Sequence, residues 1–242
     1  MSLTDPELGD VVSIDKTALR DAATVIVLRD RRTAPQVLMG QRGAKAAFMP
    51  NKFVFPGGAV DPGDADVPLI APLSDLCIAR LREDSVQDLS HALPIAAIRE
   101  LWEETGLALG RPGRWHTAPT EDWAAFAAKN LLPAADHMQF FFRAITPPGR
   151  PRRFDARFFL VDADQIADDL DDFSEASEEL SHLQWVPLSE ARALDLPFIT
   201  EVVLAELQAR AADPAPPPSV PFFKNNDEES LFLRMYGIPM RD

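Results

Sequence analysis

Residues 99–107, Arg-Glu-Leu-Trp-Glu-Glu-Thr-Gly-Leu, restrict this chain more tightly than any other stretch. Glu100, Glu103 and Glu104 stand at i, i+3 and i+4, so a helix brings their carboxylates onto one face. Three crowded carboxylates repel one another at neutral pH and need a cation between them. Hard divalent ions such as Mg²⁺ take oxygen ligands in octahedral geometry, commonly carboxylates together with substrate phosphates. Leu101 and Leu107 flank the cluster with apolar side chains, and Gly106 supplies a helix stop. Taken alone, Glu-x-x-Glu-Glu is more commonly a solvated acidic helix face. Upstream, Phe55-Pro56-Gly57-Gly58-Ala59-Val60-Asp61-Pro62-Gly63-Asp64 makes a glycine-rich turn after a short apolar run.

Together these two segments resemble the Nudix box: Gly, five residues, Glu, seven residues, then Arg-Glu-φ-x-Glu-Glu-x-Gly-φ, with φ apolar. The second half matches at every fixed position. In the first half Asp64 stands where the family has Glu, and 34 residues rather than seven separate it from Arg99. A shorter carboxylate at 64 could still reach a metal through a water. This split box is similar to that of the Nudix branch containing the peroxisomal coenzyme A diphosphatases. The likeness extends to Phe48-Met49-Pro50, Ile145-Thr146-Pro147 and Arg153-Phe154-Asp155-Ala156-Arg157-Phe158-Phe159, and covers roughly residues 20 to 210.

Short β-branched and apolar runs predict strands at 22–28, 36–42, 52–55, 138–145, 157–161 and 185–188. Helices are expected from Pro94 to about Thr105, near Glu121–Lys129, and over Thr200–Ala211, where Val203, Leu204 and Leu207 recur on one side. Between the halves of the box, residues 65–93 read as a helical insertion with Leu76, Ala79, Leu81 and Val86 inward and Arg80, Arg82, Glu83 and Asp84 outward. Pro214, Pro216, Pro217, Pro218 and Pro221 impose an extended linker, and Asp227 to Tyr236 reads as one short helix. Interleaved strands and helices indicate an α/β sandwich on a mixed sheet, which is also the α/β/α Nudix fold that the resemblance implies. The expected division is a catalytic domain over 1–212, carrying the insertion, and a linker and tail over 213–242.

The 242-residue chain has a net charge of −14, which argues against nonspecific nucleic-acid binding. No apolar run approaches the length of a membrane span. Met1-Ser2-Leu3-Thr4-Asp5-Pro6 lacks the pattern of a secretion signal. The single cysteine, Cys77, fits a reducing compartment and reads best as a small buried apolar residue. The chain ends Met240-Arg241-Asp242 rather than in the peroxisomal address Ser-Lys-Leu, so a bacterial cytoplasmic setting is expected. Asp162, Asp164, Asp168, Asp169, Asp171, Asp172, Glu175, Glu178 and Glu179 form an acidic run with no Lys or Arg among them. Most of these read as a solvated loop and helix face.

Cleaving a phosphoanhydride needs neutralised phosphate charge and an activated, aimed water. Glu100, Glu103 and Glu104 can hold Mg²⁺ or Mn²⁺. The resemblance implies that a backbone carbonyl at Gly58 completes the coordination and that Arg99 orients a glutamate through a charge-assisted bond. Glu103 is the first candidate to activate water. Several Nudix branches take the base from a loop before the last core strand, where this chain has Glu175, Glu178 and Glu179. Arg150, Arg152, Arg153 and Arg157 form the basic concentration of an acidic protein, suited to a polyphosphate or a 3′-phosphate. Arg157 pairing with the acidic run is the equal alternative. The expected activity is hydrolysis of a nucleoside diphosphate linked to another moiety, with coenzyme A or an acyl-CoA leading by resemblance. An ADP-ribose or dinucleotide pyrophosphatase and a ligand-sensing, non-cleaving Nudix fold are the alternatives. A nucleotide-derived small molecule is the expected partner, and a homodimer is possible.

Overall fold

The computed structural model describes residues 18–44, 46, 48–225 and 229–237. The N-terminal residues Met1–Pro6 and the terminal Met240-Arg241-Asp242 lie outside them. In chain order the elements are β1 (Leu19–Arg29), β2 (Gln36–Arg42), β3 (Phe53–Val54), β4 (Gly57–Ala59), α1 (Asp75–Arg82) and α2 (Ala92–Thr105). Next come β5 (Gly110–Pro112), α3 (Glu121–Ala128), β6 (Leu131–Pro133), β7 (Gln139–Ile145) and β8 (Arg153–Asp162). The chain closes with β9 (Leu180–Pro187), α4 (Phe198–Arg210), β10 (Val220–Asn225) and β11 (Ser230–Met235).

β1 organises the molecule. Its run Ala-Ala-Thr-Val-Ile-Val-Leu places apolar side chains on both pleats, as a strand covered on both faces requires. Ala23, Val25 and Val27 enter one core with α2, α1 and α3 residues, whereas Ile26 and Leu28 enter the other with Val203, Leu204 and Leu207 of α4. The result is an α/β/α sandwich. Its sheet runs β11-β10-β7-β8-β1-β2-β3, with β4 added on β1 and β9 on β2. β1–β8 and β7–β10 are parallel and the other pairs antiparallel, so the sheet is mixed. β5 and β6 make a separate two-stranded sheet.

Two expectations are corrected. The insertion does contain a helix, capped by Ser74 Oγ accepting from Cys77 N. Its inward face, however, is Cys77, Arg80 and Leu81, while Leu76 and Val86 are exposed. Arg80 turns inward because its Nη2 donates to Pro218 O at 2.9 Å, tying the helix to the proline-rich strap. The second correction concerns the tail. The described part of Asp227–Tyr236 is strand β11, which pairs with β10, and β10 in turn continues the sheet from β7. Its side chains alternate as a strand's do: Met235 points into the core, whereas Phe232 packs across the sheet near Phe142.

Candidate active site

The two halves of the split motif meet on the sheet. Gly57, Gly58 and Ala59 pair with Thr24, Ala23 and Ala22 of β1, and α2 lies over them. Glycine is required at 57, since a Cβ there would press on Ala23 O and Thr24 Cα at 2.6 and 2.7 Å. A Cβ at Gly58 would collide with the Glu100 carboxylate, so the turn and the helix are in direct contact at that point. Gly106 ends the helix in the left-handed conformation, φ 74°, with its N–H donating to Trp102 O.

Arg99 locks the assembly. Its Nε and Nη2 donate to Asp64 Oδ1 and Oδ2 at 3.0 and 3.2 Å, and Nη2 also donates to Ala59 O at 3.0 Å. Its Nη1 reaches Glu100 Oε1 at 2.9 Å and Glu103 Oε2 at 3.2 Å. Burial opposes the arginine's charge, but Asp64, Glu100 and Glu103 outweigh it and hold the guanidinium firmly protonated. Asp64, 2% exposed, spends both oxygens on Arg99 and on the Asp61 N–H. Its role in the geometry is to hold Arg99. The insertion between Asp64 and Arg99 thus leaves the sheet and returns with the two residues still in contact.

The three glutamates differ in environment. Glu104, 2% exposed, accepts from Gly57 N at 2.8 Å and is pushed up to about 8, first by burial and then by Glu100. Glu100 is pushed up to about 7 by burial, against the pull of Arg99. Glu103 is half-exposed and raised by burial, again opposed by Arg99. Among the described residues no group of three or more His, Cys, Asp or Glu side chains is arranged to hold a metal ion. Glu100 and Glu103 lean instead on Arg99, the cation at hand. The donor chemistry nevertheless fits a hard divalent ion: oxygen ligands only, on one helix face, with buried negative charge that the protein compensates incompletely.

The loop ahead of β9 is pinned to the end of α2. Ser177 N donates to Glu103 O at 2.8 Å, and Glu175 packs against Gly106. Glu179 is exposed, and its charge raises all three box glutamates, which places it at the same site. The predicted basic residues separate. Arg157 is buried, with its guanidinium committed to Asp21, to Asp155 O and, at 3.2 Å, to the Asp155 carboxylate. That commitment removes it as a substrate contact, and its acidic partners lie on β1 and β8 rather than in the acidic run. Arg153 donates from Nε to Thr146 O at 3.2 Å, while Arg150 and Arg152 are exposed. Arg153 pairs with Leu19, four residues along β1 from the Ala23 that faces Gly58, a separation of about 13 Å at ~3.3 Å per residue.

Two neighbours of the site carried no clear sequence signal. Arg42 ends β2, its charge lowers the Glu104 carboxyl, and its Nε is buried without a hydrogen-bond partner among the described residues. Asp122, in the first turn of α3, raises Glu103. Both come from elements far from the box in sequence, so only the fold brings them to it.

No family model matches the chain. "Putative nudix hydrolase 7" of Caenorhabditis elegans is 31% identical over 183 residues, 71% of this chain and 52% of that protein. Acyl-coenzyme A diphosphatase NUDT19 of Gallus gallus is 32% identical over 122 residues, 42% of this chain and 32% of that protein. The chain therefore spans about half the length of the first relative and a third of the second. The crystal structure of a NUDIX hydrolase from Alicyclobacillus acidocaldarius superposes with a TM-score of 0.60 at 27% identity, covering 82% of this chain and 93% of that one. With the fold and the reunited box, these similarities define the class: by sequence and by structure the chain is a homologue of Nudix hydrolases.

Proposed function

We propose that this chain hydrolyses a phosphoanhydride bond in a nucleoside diphosphate linked to another moiety, with coenzyme A or an acyl-CoA as the leading substrate. The supporting observation is the set of Glu100, Glu103 and Glu104 on one helix face, Glu104 buried and Glu103 half-exposed, stapled to the glycine turn through Arg99–Ala59 and Glu104–Gly57. Nudix hydrolases generally use divalent metals. A bound Mg²⁺ or Mn²⁺ would neutralise the diphosphate and acidify an attacking water. Glu100, Glu103, Glu104 and the Gly58 carbonyl are the groups assigned to hold it.

The remaining chemistry belongs to the protein's own side chains. Arg99 is a positioning residue: it fixes Glu100 and Glu103 and is itself fixed by Asp64. Glu103, half-exposed and raised, is suited to take a proton from water, and Glu179, whose charge reaches all three glutamates, is the second candidate base. Arg42 presents a cation beside Glu104 and suits a non-bridging phosphate oxygen. Arg152 and Arg153 lie remote from the box, where an additional phosphate of a long substrate would fall. The coenzyme A assignment rests on the split box and on likeness to part of a protein named as an acyl-CoA diphosphatase. No helix is long and apolar enough to cross a membrane among the described residues, and a cytoplasmic setting is proposed from the lone, buried Cys77.

The deciding experiment incubates the protein with Mg²⁺ or Mn²⁺ and a panel of CoA, acetyl-CoA, ADP-ribose, NADH and diadenosine polyphosphates. The expected result is metal-dependent cleavage of CoA or its thioester to 3′,5′-ADP and a phosphopantetheine product. Cleavage confined to ADP-ribose or the dinucleotides would overturn the coenzyme A assignment, and cleavage of none would overturn the enzyme.

A further inference from the structure

Strand β11 ends the sheet, and among the described residues no strand pairs with its outer edge. Proteins guard such edges with charges, prolines, bulges or covering loops, because an unpaired row of N–H and C=O groups accepts another strand. Of these protections β11 carries one charge, Arg234, which is paired with Glu206 of α4 at 3.3 Å. The strand contains no proline, and its register with β10 runs without a bulge from Asn225↔Ser230 to Val220↔Met235. Its apolar side chains are left part-uncovered on both faces. Phe232 is 52% exposed beside Phe142 and Phe223 on the α4 side, and Leu233 is 38% exposed on the opposite side, where Met235 enters the other core. Phe198, largely exposed at the start of α4, extends the aromatic patch through Phe223.

The strand's own sequence indicates what completes it. Ser230-Leu231-Phe232-Leu233-Arg234 reads the same in polarity from either end. In an antiparallel pair of two copies that sets Phe232 opposite Phe232, Leu231 falls opposite Leu233 and Ser230 opposite Arg234. Apolar then meets apolar on both faces, and the polar positions meet each other. A slip of one residue would set Arg234 against Leu231 and turn the faces over. The favoured register also keeps the α4 layers of both copies on one side, as a two-fold axis through the sheet requires. We propose that β11 is the interface between two copies of this chain, joined by antiparallel β11–β11 pairing about a two-fold axis at Phe232, which fuses the two sheets into one.

The test is a charge exchange on the full chain. Sedimentation velocity over a micromolar concentration series should show a dimer for the wild type. Phe232→Lys and Phe232→Glu should each be monomeric, since like charges face each other at the axis. An equimolar mixture of the two should sediment as a dimer again. Circular dichroism with a thermal melt checks that each variant is folded, and recovery on mixing excludes misfolding independently. A monomeric wild type overturns the proposal, as does dimerisation of Phe232→Lys alone. Failure of the mixture to associate overturns the Phe232-centred register.

Discussion

Glu104 sets the chemistry of the site at the scale of single residues. Burial holds its carboxyl near 8 and that of Glu100 near 7, against an ordinary value of 4.5 for each. A raised acid keeps its proton in the folded chain after the unfolded chain has lost it. The contribution of Glu100 and Glu104 to the stability of the metal-free protein should therefore be fully present below about pH 4.5 and be lost as the pH rises towards 8. Mn²⁺ should reverse that loss, because a bound cation stabilises the ionised carboxylates, and Glu104→Gln should flatten the pH slope. Denaturant midpoints across this window, with and without Mn²⁺, check the claim; a slope of the opposite sign would contradict it. Asp64→Asn should cost about 3–5 kcal/mol, the usual range for breaking a buried ion pair, read as a lowered urea midpoint. The three glutamates were legible because their spacing fits a helix face. Asp64 was legible as part of the turn but not as the partner of Arg99, since spacing across a 34-residue gap carries no contact information.

At the scale of elements, period and composition located most strands and helices. β1 stood out by apolar residues on both pleats, and α2 by the proline in its first turn and the glycine at its end. The insertion was legible as a helix but not in its orientation. A short helix with apolar residues at 76, 77, 78, 79 and 81 offers several faces, and the choice was made by Arg80 bonding to the strap. The tail was misread as helix because strand pairing is non-local and leaves little trace in six residues. Leu81, buried beside Cys77 and Met138, makes the insertion part of the main core rather than a detachable arm. Leu81→Ala is expected to cost about 2–5 kcal/mol, the range for such truncations, measured by chemical denaturation. A loss within error of zero would show that the insertion is not part of the main core.

At the scale of the whole molecule, the strap and C-terminal hairpin brace the insertion against the sheet. Glu83 accepts from the Tyr236 and Gly237 N–H groups at 2.9 and 2.8 Å, and Arg143 donates to Glu83 O and Asp84 O while paired with Asp155. The same hairpin presents the edge at which a second copy is proposed to dock, so the site, its insertion and the interface share one sheet. The basic residues at the start of β8 bear on substrate size. If Arg153 meets a phosphate remote from the scissile bond, Arg153→Ala should weaken CoA hydrolysis by ~1–3 kcal/mol in kcat/KM and leave dephospho-CoA nearly unchanged. Equal losses on both would assign Arg153 to the shared diphosphate or to the fold. The central claim, that Glu100, Glu103 and Glu104 form a metal-dependent hydrolytic site, is tested most directly by the turnover of Glu104→Gln at saturating Mg²⁺ on the best substrate of the panel. A loss of at least ~10²-fold, comparable with removing a positioned catalytic group, is expected with the fold intact; near wild-type turnover would contradict it.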